Sequence, residues 1–300
     1  MDGLVPVDKP AGWTSHDVVA RLRTVLRVSR AGHAGTLDPD ATGVLLVTVG
    51  QATRLFPFLS KQDKVYRGTM RLGFSTETHD ASGRPTTEET KDLPGIQEVE
   101  AAVRTFQGRI MQTPPSFSAK KVHGRPAHRL VRASREVVLA PVEVTIHAFR
   151  MLDYQPPRLE FEVSCSSGTY VRTLAHDLGN ALGCGGHLER LVRTAVGTYR
   201  LESCLPWDRV RDLAAAGRTG DFLVPMEDLL PEFPRLQLTS EQAGRARHGL
   251  AIPLPPDAPA ISPGHPPVRL FDDRGTFVAL ARLDETASRL RPFLVVTAGK

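Results

Sequence analysis

The chain is poor in cysteine, contains no long apolar run, and has one extended stretch without a single acid. Its three cysteines, Cys165, Cys184 and Cys204, are an odd number at wide spacing. That pattern argues against a disulfide framework and for a reducing compartment. Cys184-Gly-Gly-His187 has the spacing of half a zinc site, but no second pair faces it, so a structural thiol is expected. No apolar run approaches membrane-spanning length. Met1-Asp-Gly-Leu-Val-Pro6 shows no basic region followed by an apolar core, so no secretory signal is expected. The expectation is a soluble, cytoplasmic protein without internal repeats.

The acid-free stretch runs from Arg104 to Arg135. It carries Arg104, Arg109, Lys120, Lys121, Arg125, Arg129, Arg132 and Arg135, interleaved with Phe117, His123 and His128. Such a pattern suits a surface that follows a phosphate backbone while rings meet bases. The plainer alternative is a basic face balanced by acids elsewhere in the fold. A formal charge of +5 and a pI near 9.3 lean weakly toward an anionic partner.

What is present reads as alternating elements. Leu4–Asp8 is a short strand. Thr14 and Asp17 have capping-box spacing, and the helix behind them buries Val18, Val19, Leu22, Val25 and Leu26. Val44–Val49 is an apolar, β-branched run that reads as a buried strand. Lys64–Gly73 alternates, with Tyr66, Gly68, Met70 and Leu72 on one side. Phe74–Asp92 is loop, and Val99–Phe106 is a short amphipathic helix. Arg158–Cys165 alternates as a strand that continues through Gly168, and a helix follows over Thr173–Leu182. If the strand persists, Tyr170 and Arg172 share one face. Leu229–Pro234 looks like a hinge. Beyond it come a helix over Leu238–Arg247, an irregular loop over Ile252–Pro267 with seven prolines, and strands near 268–271, 276–283 and 292–297.

The densest chemistry lies in His33-Ala-Gly-Thr-Leu-Asp-Pro-Asp-Ala-Thr-Gly-Val44. It places Asp38 and Asp40 in a turn-rich segment held against the Val44–Val49 strand. A carboxylate on a loop backed by a rigid strand suits catalysis. An Asx-type turn whose acids bond nearby backbone is the alternative, and local chemistry leaves both open. Asp38-Pro-Asp-Ala-Thr42 also fits the D-x-D-x-T pattern of Mg²⁺-dependent phosphotransferases with an aspartyl nucleophile. In those proteins, however, an apolar parallel strand precedes the first Asp, whereas here the apolar strand comes after it. A non-catalytic RNA chaperone is a third possibility.

Gly32–Gly43 closely resembles the catalytic motif of the TruB family of tRNA pseudouridine synthases. Asp8-Lys-Pro-Ala-Gly-Trp-Thr-Ser15, Lys64-Val-Tyr-Arg67, Gln112-Thr-Pro-Pro115 with Ser118-Ala-Lys120, Gly168-Thr-Tyr-Val-Arg172 and Leu188–Gly197 match the same family in the same order. The resemblance implies an α+β pseudouridine synthase fold, a mixed, mostly antiparallel sheet flanked by helices. It implies a catalytic domain over 1–231 and a small β-rich, PUA-like RNA-binding domain over 232–300. It implies isomerisation of uridine-55 in the T loop of tRNA by a monomer, on a flipped-out base, without metal or redox cofactor.

By the same resemblance Asp38 is the nucleophile, and Asp40 has no assigned chemistry. Arg172 pairs with Asp38, and Tyr66 stacks on the target base and can serve as a base for proton removal. Tyr170 shapes the pocket, and Leu191 forms an apolar wall. His33 is the side chain expected to enter the space vacated by the base. Lys9, Lys64 and Lys120 are expected at phosphates, and Asp80 at the pocket edge.

Overall fold

The computed structural model describes residues 1–115, 121–122, 125–126, 139–255, 266–284 and 288–296. Lys120, Phe117, His123, His128, Arg129, Arg132 and Arg135 lie outside the described residues, as does the middle of the proline-rich stretch.

The main elements in chain order are β1 (Gly3–Lys9), α1 (Ser15–Leu26), β2 (Ala31–His33), β3 (Thr42–Val49), α2 (Phe56–Leu59), β4 (Lys64–Leu72), α3 (Ile96–Thr105) and β5 (Gly108–Gln112). Then follow β6 (Val142–Gln155), β7 (Arg158–Cys165), α4 (Val171–Ala181), β8 (Gly186–Val196) and α5 (Trp207–Ala215). The C-terminal part holds β9 (Arg235–Gln237), α6 (Ser240–Arg247), β10 (Ile252–Pro253), β11 (Val268–Phe271), β12 (Phe277–Leu283) and β13 (Arg289–Val295).

The large sheet runs β1-β3-β8-β4-β7-β6-β5, with Leu205–Pro206 beyond β1. β3–β8 and the β1 pairing with Leu205–Pro206 are parallel; the other neighbours on this path are antiparallel. This is the mixed, mostly antiparallel architecture expected. The C-terminal sheet has the order β9-β11-β12-β13-β10.

β3 explains its own sequence. Leu45, Val47 and Val49 pack toward α1, while Val44 and Leu46 face a second core. A strand covered on both faces reads as a continuous apolar run rather than as alternation. α1 begins where Thr14 and Asp17 cap it reciprocally: Asp17 N–H donates to Thr14 Oγ1 at 3.1 Å and Thr14 N–H donates to Asp17 Oδ2 at 2.8 Å. Its buried side, Val18, Val19, Leu22 and Leu26, meets Val5 and Val7 of β1. The second core is shared with the C-terminal sheet through Phe271, Phe277, Leu280 and Leu294.

Three expectations are corrected. The strand before Arg172 does not persist: β7 ends at Cys165, the chain turns at Gly168 (φ +90°), and α4 starts at Val171. Tyr170 is therefore the N-cap and Arg172 sits in the first helical turn. The 229–234 segment is clamped rather than hinged. The Arg269 guanidinium donates to the carbonyls of Leu229 (3.2 Å), Glu227 (3.3 Å), Phe233 (3.1 Å) and Pro231 (3.5 Å). The proline-rich stretch begins as strand β10, whose Ile252 pairs with Leu290.

Candidate active site

Residues 34–41 connect β2 to β3, and their backbone is tied down from below. Lys9 Nζ donates to the carbonyls of Pro39 (2.9 Å), Pro10 (2.9 Å) and Trp13 (2.6 Å). Arg193 donates to Gly35 (3.1 Å), Thr36 (3.2 Å) and Val44 (2.7 Å) carbonyls. Ser15 Oγ accepts from the Leu37 N–H at 2.8 Å and donates to its carbonyl at 3.1 Å. Lys9, Ser15 and Arg193 are all buried. These bonds satisfy carbonyls that a buried loop would otherwise leave unpaired. Gly43, at φ +99°, lets β3 approach β8: a Cβ there would lie 2.2 Å from the Arg193 carbonyl oxygen.

With its backbone held, the loop presents Asp38 to Arg172. Arg172 Nε lies 2.9 Å from Asp38 Oδ2 and Nη2 lies 3.2 Å from Oδ1, a two-point contact. The third guanidinium nitrogen donates to Asp80 Oδ2 at 3.3 Å and to the Thr78 carbonyl at 3.1 Å. Asp80 Oδ1 in turn accepts from Thr78 Oγ1 (2.6 Å), Ser82 Oγ (2.6 Å) and the Ser82 N–H (3.0 Å). Arg172 thus joins the 34–41 loop to the 76–82 loop from the start of α4. A planar fork suits this bridging; a point charge does not.

Two recesses meet at Asp38, Arg172 and Leu191. One, of about 290 Å³, is also lined by Lys64, Tyr66, Tyr170 and Arg193. The other, of about 480 Å³, is lined by Asp40, Asp80, Glu189 and Arg190. Burial pushes the Asp38 carboxyl above its ordinary value, Arg172 opposes that rise, and the neighbouring Asp80 charge adds to it. Burial also raises the Tyr66 hydroxyl, against the Arg193 guanidinium, so the phenol stays protonated at neutral pH.

Asp38, Tyr66, Tyr170, Arg172, Leu191 and Lys64 therefore surround one cavity, and Asp80 reaches it through Arg172. His33 lies on β2 and lines neither recess; burial lowers its pKa, leaving a neutral imidazole. Lys9 is corrected outright: it is fully buried with its ammonium on three carbonyls, so it cannot meet a phosphate. Lys64 is also buried, donating to the Ser60 (2.7 Å) and Gln62 (2.5 Å) carbonyls, and it lines the cavity. Burial lowers the pKa of each lysine to about 8. Sequence reasoning assigned no role to Arg193 or Ser15. The signal for Arg193 is its spacing from Leu191: the two share one face of β8, opposite Gly68 and Tyr66 of β4. The phosphotransferase geometry is absent, because Asp38 lies in the connection between the antiparallel strands β2 and β3. Among the described residues there is no cluster of metal-ligating side chains. No helix of the described residues is long and apolar enough to cross a membrane.

Comparison with known proteins gives consistent matches. Residues 23–171 match the TruB family pseudouridylate synthase N-terminal domain, and residues 172–231 match the tRNA pseudouridylate synthase B C-terminal domain. A Thermobifida fusca protein named tRNA pseudouridine synthase B is 45% identical, covering 99% of both chains. A protein of the same name from Solibacter usitatus is 41% identical over 85% of this chain and 87% of its own. Among solved structures, a Cbf5-Nop10-Gar1 complex matches with TM-score 0.74 and 26% identity, over 99% of this chain and 84% of that one. An H/ACA RNP bound to a substrate RNA containing 2'-deoxyuridine matches with TM-score 0.76 and 23% identity, over 99% and 85%. That last likeness concerns the fold alone.

Proposed function

This chain belongs to the TruB family of pseudouridylate synthases, and from that premise we propose that it isomerises uridine-55 in the T loop of tRNA, with Asp38 as the nucleophile. It is an RNA-modifying isomerase; the site and the chemistry within it are the proposal. The observation that carries the proposal is the two-point contact of Arg172 on Asp38 at the mouth of a cavity lined by Tyr66, Tyr170 and Leu191.

The reaction breaks the bond from uracil N1 to C1′, turns the base, joins C5 to C1′, releases the proton of C5 and places one on the freed N1. Atoms and charge balance without oxidant or water. A carboxylate nucleophile divides that change into smaller steps. Arg172 holds Asp38 ionised and aimed, although burial alone would favour the acid form. The base must leave its stack, at a cost of a few kcal/mol. Tyr66 and Leu191 offer it an apolar slot in return. The Tyr66 phenol is held protonated, so stacking is its role in the resting site, and it would have to give up its own proton, against the effect of burial, before it could take the one from C5. A narrow cavity keeps the detached base beside C1′ until it rejoins. His33 borders the loop as the side chain that fills the vacated stack, and the 232–300 module with the basic 104–135 stretch binds the T arm.

Incubation with a T-arm stem-loop, followed by a pseudouridine-specific chemical label, tests the reading. The expected result is one modified position, the uridine corresponding to tRNA position 55. Absence of label on that RNA, with the enzyme folded and bound to it, overturns the assignment.

A further inference from the structure

The helix that carries Arg172 lacks a cap of its own. Its N-cap is Tyr170, which makes no side-chain capping bond, and no carboxylate or amide stands at the third helical position, occupied by Thr173. A capping box normally supplies that third residue to bond the N-cap N–H. Here the bond comes from another element. Gln112, the last residue of β5 and fully buried, accepts the Tyr170 N–H on Oε1 at 2.7 Å. Its Nε2 donates back to the Tyr170 carbonyl at 3.0 Å, the same oxygen that accepts the first helical bond from Leu174. The side-chain amide thus pairs with both main-chain groups of one residue, as a strand neighbour would.

We infer that Gln112 is a positioning residue for the isomerisation, capping α4 in trans so that Tyr170 and Arg172 are held at the cavity. The inference rests on the proposed site. It explains why an aromatic residue can stand at an N-cap: Tyr170 faces the cavity, and the capping task falls to a residue 58 positions away. Thr173 Oγ1 donates to the Thr113 carbonyl at 3.5 Å, a second tie between the end of β5 and the first turn of α4. A displacement of Tyr170 moves Arg172, two residues on, and hence the aim of Asp38.

The test compares Gln112→Met, which keeps size but neither bond, with Gln112→Glu. At high pH the glutamate lacks the donor that Tyr170 requires. When protonated, it regains both bonds with the same shape. On T-arm RNA, Gln112→Met should bind with parental affinity and unchanged KM while kcat falls roughly ten- to a hundredfold, the scale of a small misplacement. The kcat of Gln112→Glu, divided by the parental value at each pH, should rise as pH falls. A flat or falling ratio, or a parental kcat in Gln112→Met, overturns the inference. If Gln112→Met does not fold, the Gln112→Glu ratio alone decides, because it compares one folded variant with the parent across pH. Asp38→Asn is assayed alongside. An active Asp38→Asn means that the site reading has failed, whereas an inactive Asp38→Asn beside normal Gln112 variants means that only this inference has.

Discussion

Replacing Asp80 by Asn changes one charge with almost no change in shape, and its effects on rate and on pH dependence differ in kind. Asp80 Oδ1 already accepts from Thr78 Oγ1, Ser82 Oγ and the Ser82 N–H. An asparagine oriented to keep those donors turns its NH₂ toward Arg172, where the carboxylate oxygen now accepts at 3.3 Å. A charge-assisted bond is lost and two donors face each other. Losing such a bond costs about 1–3 kcal/mol. Expressed at the transition state, that is a fall in kcat of roughly five- to 160-fold.

The pH effect follows from Asp38, whose carboxyl is raised by burial, opposed by Arg172, and raised further by Asp80. Removing the Asp80 charge takes away one raising influence and leaves Arg172 undivided. The acid limb of kcat/KM, where Asp38 takes up a proton, should therefore move to lower pH. Single-turnover conversion of a T-arm stem-loop, followed from the acid limb to the plateau, measures both quantities. A lower plateau with the limb displaced downward is the expected pair. A limb that moves up, or a plateau equal to the parental one, refutes the coupling of Asp80 to Asp38 through Arg172.

Arg193→Leu leaves the carbonyls of Gly35, Thr36 and Val44 without their donor. A loss of roughly 3–5 kcal/mol in unfolding free energy is expected from urea titration, and a change below about 1 kcal/mol would remove the loop clamp from the account. Lys9 gives a pH signature. Its folded pKa of about 8 lies below the ordinary 10.5, so between those values the unfolded chain binds more protons and stability rises with pH. Measured as parent minus Lys9→Met, the stability difference should grow in the parent's favour across that window, by up to ~3 kcal/mol. A difference that shrinks there contradicts the buried, charged lysine.

Local pattern made α1 and β3 legible. The Thr14–Asp17 pair announces a cap, and an apolar run without alternation announces a strand covered on both sides. The pairing of Asp38 with Arg172 was reached only through family resemblance, because 134 residues separate them and spacing along a chain carries no such information. Lys9 differs for another reason. A positive residue reads as surface by default, and only the folded chain shows carbonyls converging on Lys9 from residues 10, 13 and 39. The proline-punctuated segment 229–234 looks like a hinge when read alone, and only the fold shows Arg269 clamping its carbonyls. Gln112 stands within the Gln112–Pro115 motif, yet its partner is main chain, and a sequence does not display which backbone groups lack a bond. Alternation carried across Gly168 puts Tyr170 and Arg172 on a strand, but β7 ends at Cys165 and the chain turns through Gly168 into α4.

The proposed isomerisation depends on Asp38 acting as an ionised nucleophile held by Arg172. The direct measurement is Asp38→Asn, assayed on one T-arm stem-loop for affinity and for pseudouridine. Near-parental binding with no detectable product is the predicted result. Pseudouridine formed at the parental rate by the asparagine variant would contradict it.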